Sequence, residues 1–210
     1  MAAASAAPSV IRMSGAAALT QLIQPLCALV APTEFASYKE PQWRFLLGAG
    51  DVTVYAVPGE AHGSLFGCVL RVGLGGPDAG YGMMVVSKEA RGRGLARVLL
   101  EAAMSDGPAG GRRVLGICTP LGQPFYAKLG FKAVSTITGL TGSIASVEAA
   151  ELTAAECAVV AAASAPSDEA AAEALVALDR SAGGFDRSAC IRALLAGGAT
   201  SATASVKLVL

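Results

Sequence analysis

Histidine is almost absent from this chain: His62 is the only one, and it sits in a loop-forming stretch from Pro58 to Gly63. Five cysteines, Cys27, Cys68, Cys118, Cys157 and Cys190, are scattered at spacings that match no metal-ligand pattern, and their number is odd. Zinc sites and a disulfide framework are therefore not expected, no metal is called for, and reduced thiols suit a cytoplasmic protein. Aromatic residues make up 5% of the chain, too few for a base-stacking platform. Neither sign of charge dominates, because 16 Lys and Arg balance 16 Asp and Glu; no global field draws nucleic acid or an anionic membrane to the surface. Long hydrophobic runs are missing too. The best stretch, Ala16 to Ala31, is interrupted by Gln21, Gln24 and Pro25 and is too short to span a bilayer. No acidic residue precedes Glu34, and Arg12 and several serines lie in that stretch. This is a faint version of an organellar transit peptide, but a single arginine supports it poorly and the expected location stays cytoplasmic. Two phosphate-binding patterns are also missing: the P-loop Gly-x-x-x-x-Gly-Lys-Ser/Thr and the dinucleotide fingerprint Gly-x-Gly-x-x-Gly.

Small and apolar residues fill the remainder. The chain is 53% hydrophobic, but much of that is alanine, so the figure overstates core-forming bulk. Residues 1–8 read as a disordered tail, 9–145 as a main domain, and 146–210 as an alanine-rich, mainly helical region. In the main domain a short strand, Ser9 to Met13, leads into a helix from Ala16 with Leu19, Leu22, Ile23 and Leu26 on one face. Pro25 is expected to kink or break that helix. A second helix, carrying Trp43 as its anchor, ends at Gly48. Strands follow at Asp51–Val57, at Ser64–Leu74 with a bulge near Gly67, and at Tyr81–Val86. A helix runs from Arg93 to Ser105, then a strand over Arg113–Cys118. A short helix holds Phe125, Tyr126 and Leu129 and is closed by Gly130 in a left-handed conformation. Phe131–Val134 resumes as strand. Alternating strands and helices define a mixed α/β layer fold.

The chemistry concentrates at two places. After the apolar run ending at Val86, the segment Ser87 to Leu95 carries Gly92 and Gly94 and opens directly into a helix. The first N–H groups of a helix lack intrahelical partners, and the helix dipole adds partial positive charge there. Glycines at 92 and 94 let a pyrophosphate approach the amides from Gly92 to Ala96, with Arg91 and Arg93 beside them. The bland alternative is an ordinary loop before a helix. The second place is Tyr126. A phenol with an ordinary pKa near 10 can protonate a basic leaving group; otherwise Tyr126 is a core aromatic.

Taken together, the two elements resemble the GNAT (Gcn5-related) N-acetyltransferase family over about Pro8 to Val147. Its acyl-CoA signature, Arg/Gln-x-x-Gly-x-Gly/Ala after the fourth strand, is filled by Arg91, Gly94 and Ala96, with Gly92 where glycine is common. Its later signature, a tyrosine shortly before Gly-Phe, is filled by Tyr126, Gly130 and Phe131. The resemblance implies a mixed sheet that splays open between its fourth and fifth strands, with acetyl-CoA as cosubstrate in the gap. The main chain of Met84, Val85 and Val86 would pair with the pantetheine arm. The turn Arg91, Gly92, Arg93, Gly94, Leu95 and Ala96 would hold the pyrophosphate, and Tyr126 would protonate the departing thiolate. An amine would attack the thioester directly, with a main-chain N–H of the fourth strand stabilising the carbonyl oxygen.

Three departures from the family pattern stand out. Lys88 replaces a frequent proline. The strand Tyr81–Val86 carries no carboxylate to act as base, which leaves an ordered water, Glu34, Glu40 or Asp51. No pattern in residues 20–80 names the acceptor, so a small amine, an amino acid, an aminoglycoside-like molecule and a protein N-terminus or lysine all stay open. A non-catalytic acyl-CoA-binding or regulatory module is the alternative reading.

Residues 174–195 are similar to the second domain of two-domain GNAT proteins through Asp179, Gly184, Asp186, Arg187, Leu194 and Leu195; an ordinary helix–turn–helix is the competing reading. No second acyl-CoA signature follows. The region is expected to cover the first domain, contribute to the acceptor site or mediate a homodimer, because an unpartnered apolar helix face is unfavourable. His62 reads as exposed filler and Cys118 as a small buried hydrophobe at a strand end.

Overall fold

Residues 52–57 are apolar or neutral at every position, so a strand here must be covered on both faces. The computed structural model, which describes residues 8–106, 113–136 and 169–198, shows this arrangement. Strand β2 (Val52–Pro58) lies inside a five-stranded sheet of order β1-β2-β3-β4-β5. The other strands are β1 (Ile11–Ser14), β3 (Leu65–Gly73), β4 (Ala79–Val86) and β5 (Val114–Gly116). β1 to β4 pair antiparallel in succession, and β5 joins β4 parallel.

Strand alternation sends Val52, Val54 and Ala56 to one face and Tyr55 and Val57 to the other. Over the first face lie α1 (Gly15–Gln21), α2 (Ile23–Val30) and α3 (Glu40–Gly48), which contribute Leu26, Val30, Trp43 and Leu47 to a core with Val54, Cys68 and Leu70. Over the second lies α4 (Leu95–Ser105), whose Leu95, Leu99, Leu100 and Ala103 pack on Tyr55, Val57, Val69 and Tyr81. The Tyr81 hydroxyl donates to the Ala103 carbonyl at 3.2 Å and so has a partner inside that core. Trp43 is fully buried, as an anchor for α3 should be.

Several sequence expectations need correction. The first helix breaks at Leu22, not at Pro25. Pro25 is the third residue of α2, within the first turn, where an N–H has no intrahelical acceptor to lose. The fifth strand stops at Gly116 rather than Cys118, because β4 pairs with it only at Ala79–Val114, Gly80–Leu115 and Tyr81–Gly116. Ile117 and Cys118 are exposed in consequence. Phe131–Val134 forms no strand, since no described strand pairs with it; only the Phe131 ring turns inward, against Tyr126.

The expected bulge near Gly67 is present. β2 and β3 shift register where Val57 faces Gly67 and Pro58 faces Leu65, leaving Phe66 unpaired. Gly67 is also a close approach: a Cβ there would lie 2.8 Å from the Val85 carbonyl oxygen on β4.

The C-terminal region is a helical hairpin, α6 (Glu169–Gly183) and α7 (Ser188–Gly198). It is fastened to the end of the sheet where β4 and β5 begin. Arg113 donates twice to the Asp78 carboxylate, at 2.9 and 2.6 Å, and once to the Gly184 carbonyl at 2.8 Å. Its guanidinium lies 4.2 Å from the Phe185 ring centroid. The Asp186 N–H donates to the Leu74 carbonyl at 2.8 Å. The hairpin thus covers the main domain at one end, while Val86 and the glycine turn lie at the other end of β4. The boundary near residue 145, the tail 1–7 and most of the alanine-rich stretch lie outside the described residues.

Replacing Gly67 with valine should lower unfolding stability by roughly 1–3 kcal/mol, because β3 and β4 must separate locally to fit the side chain. Denaturant unfolding of Gly67→Val checks this, and an unchanged midpoint would contradict the close approach.

Candidate acyl-CoA site

β4 builds the site by failing to stay regular. Cys68 faces Val85 and Leu70 faces Gly82, so Met83 and Met84 together oppose the single residue Val69. This is a β-bulge, and Met83 holds φ at +50°, the only positive value among described non-glycine residues. The bulge reverses the facing of the strand. Ahead of it Ala79 and Tyr81 point toward α4; after it Met84 and Val86 do, while Met83 and Val85 join the opposite core.

The bulge also orients the main chain. The Ser87 N–H donates to the Phe66 carbonyl on β3 at 2.8 Å, and the Val85 carbonyl approaches Gly67 of β3. In a strand, successive residues present their main-chain groups to opposite neighbours. Those of Met84 and Val86 therefore point away from β3, toward the side on which β5 has already parted company. Beyond Tyr81 no described residue of β5 pairs with β4. The sheet is splayed from Gly82 onward.

A single 3-10 turn, Lys88–Ala90, follows with Ala90 buried. Gly92 and Gly94 then adopt φ of +76° and +75°, a conformation that L side chains adopt only under strain. A Cβ on either would meet nothing within 4 Å, so the space above both is open. The N–H groups of Gly92, Arg93, Gly94, Leu95 and Ala96 donate to no acceptor among the described residues. α4 starts at Leu95 with no side-chain cap. Five amides thus remain available at one helix N-terminus, an arrangement able to accept an anion.

The turn opens on a cleft of about 410 Å³. Val86, Arg91, Gly92, Gly94, Leu95 and Ala96 form one wall, and the other is Phe125, Lys128 and Leu129 at the end of α5 (Gln123–Lys128). These last three stand at i, i+3 and i+4, on one helical face. Arg91 lines the cleft and donates through Nε to the Val86 carbonyl at 3.3 Å. The Arg93 side chain is directed elsewhere. It donates to the Glu89 carbonyl at 3.1 Å and lies 5.4 Å from the Phe66 ring centroid, so only its amide belongs to the turn.

Tyr126 is at the fork of the splay. A Cβ on Gly116, the last β5 residue paired with β4, would lie 3.8 Å from both the Tyr126 ring and the Tyr81 carbonyl. The ring packs edge-to-face with Phe125 and Phe131, at centroid distances of 5.1 and 5.4 Å. The residue is buried, and its hydroxyl has no hydrogen-bond partner among the described residues. Burial, with a smaller contribution from Cys118, pushes its pKa up to about 12. Cys118 itself is exposed, contrary to expectation, because β5 ends before reaching it.

The three acids considered as bases are dispersed. Glu40 accepts from Gln24 at 3.0 Å and from Arg44 at 2.8 Å. Asp51 lies 3.6 Å from Arg71 and against Gly73, with β3 between it and β4. Glu34 is exposed in the loop between α2 and α3. Sequence reasoning missed the bulge at Met83, which has no residue signature, and Lys128. The i, i+3 spacing of Phe125 and Lys128 was the available signal for the latter.

Residues 51–133 match the family model described as Acetyltransferase (GNAT) domain. No curated protein matches the chain. Among solved structures, an acyl-CoA N-acyltransferase from Pseudomonas aeruginosa is 20% identical, with 64% of this chain and 93% of that one covered and a TM-score of 0.50. A ribosomal-protein-alanine N-acetyltransferase from Brucella melitensis biovar Abortus 2308 is 14% identical over 65% of this chain and 100% of that one, with a TM-score of 0.47. An aminoglycoside N-acetyltransferase solved in complex with CoA is 16% identical over 65% and 95%, with a TM-score of 0.48. At 20% identity the likeness to the Pseudomonas aeruginosa structure is one of fold alone.

The Tyr126 phenol should ionise near pH 12, against about 10 for a free phenol. Between these values the unfolded chain releases this proton while the folded one keeps it, so stability falls as pH rises through that window. The phenolate absorbance difference between wild type and Tyr126→Phe reads the pKa directly; a step near pH 10 would contradict the burial.

Proposed function

We propose that this protein transfers an acyl group, acetyl in the first instance, from coenzyme A to a primary amine. The observation that carries the reading is the coincidence of five unpaired amides with an unpartnered, buried phenol at the place where β4 and β5 separate. Acetyl-CoA supplies an activated thioester and an anionic diphosphate. The donor set suits that anion, since the open space above Gly92 and Gly94 admits a bulky phosphate and Arg91 adds charge.

In this reading the Gly92–Ala96 amides bind the diphosphate, and the outward main-chain groups of Met84 and Val86 align the pantetheine arm as an added strand. Met83, strained at the bulge, aims the main chain at the reacting carbonyl; an N–H there stabilises the negative charge that develops on oxygen. Tyr126 keeps its proton at neutral pH, because burial penalises the phenolate, and delivers it to the departing thiolate. The amine attacks directly and no covalent enzyme intermediate forms. The acceptor is a small-molecule or peptide amine. Balanced charge favours neither nucleic acid nor membrane, and the free cysteines fit a cytoplasmic setting.

A second reading, a non-catalytic acyl-CoA-binding module, is favoured by one observation. β4 carries no acid, and Glu40 is engaged by Arg44 while β3 separates Asp51 from β4. Under the catalytic reading a water removes the amine proton.

Thiol release from acetyl-CoA with a panel of amines tests the proposal. Wild type should turn over at least one amine, and Tyr126→Phe should lower kcat by about 10²- to 10⁴-fold with little change in KM for the donor. Equal turnover by both removes Tyr126 from the mechanism. Tight acetyl-CoA binding without turnover on any amine favours the non-catalytic module.

A further inference from the structure

Packing alone does not place β5. The strand is three residues long, half-buried at Val114 and Leu115 and exposed at Gly116, at the lower limit of strand length. Its anchor is the residue just before it. The Arg113 N–H donates to one oxygen of the Asp78 carboxylate at 2.7 Å, and the guanidinium donates twice to the other, at 2.9 and 2.6 Å. These are charge-assisted bonds, and Asp78 is the one buried acid among the described residues. The Arg113 carbonyl accepts from the Ala79 N–H at 3.1 Å, which starts the β4–β5 ladder. The rest of the guanidinium belongs to the C-terminal hairpin. Gly184 closes α6 at φ +66°, its N–H donating to the Arg180 carbonyl at 2.8 Å. The Gly184 carbonyl accepts from Arg113, and the Phe185 ring lies against the same guanidinium.

Resting on the acyl-transfer reading above, the geometry points to Arg113 as a positioning residue through which the C-terminal hairpin sets the place of Tyr126 in the splay. The path is short. Arg113 fixes the start of β5, Gly116 ends its pairing with β4, and the Tyr126 ring packs beside Gly116 and the Tyr81 carbonyl. A shift of β5 therefore moves the phenol relative to β4. The amide turn stays in place, because it is carried by β4 and by α4, which packs on β2 and β3. Misplacing a reacting group costs rate without loosening the donor. The hairpin contributes no residue to the cleft lining, yet through Arg113 it belongs to the catalytic unit.

Two measurements on the full chain test the assignment: steady-state kinetics with kcat counted per folded molecule, and phenol titration of each protein against its own Tyr126→Phe counterpart. The proteins are wild type, Arg113→Met, Arg113→Lys, Phe185→Leu and Arg44→Met. Arg113→Met should lower kcat roughly ten- to a hundredfold with donor KM unchanged. It should also bring the Tyr126 step down from about 12 toward the ordinary phenol value. Arg113→Lys keeps the charge and should recover part of both losses. Phe185→Leu leaves the Asp78 bonds intact and loosens only the hairpin's hold; it should change kcat in the same direction by a smaller factor, and it decides the matter if Arg113→Met does not fold. Arg44→Met breaks an exposed ion pair with Glu40 on α3 and should match wild type. A lower unfolding midpoint in Arg113→Met with wild-type kcat and Tyr126 step marks a structural staple and overturns the proposal. So does a loss confined to donor KM, or a Phe185→Leu protein that matches wild type in both readouts. If wild type turns over no amine, the acyl-transfer reading fails and the phenol step alone decides this proposal.

Discussion

The parting of β4 from β5 after Tyr81 is the constraint on which the site depends. A parallel pair that continued to Val86 would consume the main-chain groups of Met84 and Val86 and fill the space beside Tyr126. Because pairing stops after three residues, the outward main-chain groups of Met84 and the Val86 N–H are left for water or a ligand, while Arg91 already donates to the Val86 carbonyl. The same separation explains the short β5, the exposure of Ile117 and Cys118, and the position of Tyr126 against Gly116, beside the last paired residues of the two strands.

The rest of the molecule holds that gap in place. β2 and β3, covered on both faces, form the rigid centre. Gly67 lets β3 approach β4 closely on the far side from the gap. The bulge at Met83 turns the strand's main chain without breaking its β3 pairing. At the opposite end, Arg113 joins Asp78, Gly184 and Phe185, fastening the C-terminal hairpin where β4 and β5 are still paired. The sheet is thus closed and braced at one end and open at the other, and the glycine turn stands at the open end.

Much of this was legible from residues. The near-continuous apolar run Tyr81–Val86 announced a strand covered on both faces. The pair Gly92 and Gly94 before an amphipathic run announced an uncapped helix start, and both glycines adopt left-handed φ there. Gly130 does the same at φ +88° after α5. What was not legible depends on pairing, which a single strand cannot reveal. The end of β5, the fate of Phe131–Val134 and the bulge at Met83 are all set by what lies beside them. Side-chain direction was similarly hidden: Arg93 and Arg91 look equivalent in sequence, yet only Arg91 reaches the cleft. Pro25 misled because its effect depends on its place in a helix whose start was not visible.

The account stands on the amides of the glycine turn and the splayed edge of β4 forming one receptor for a thioester-bearing diphosphate. Amide chemical-shift mapping during titration with CoA tests this most directly. The largest changes should fall on Gly92, Gly94, Leu95 and Ala96, with a second set at Met84 and Val86. Changes centred instead on the far end of the sheet, around Gly75 and Asp186, with the turn unaffected, would contradict it.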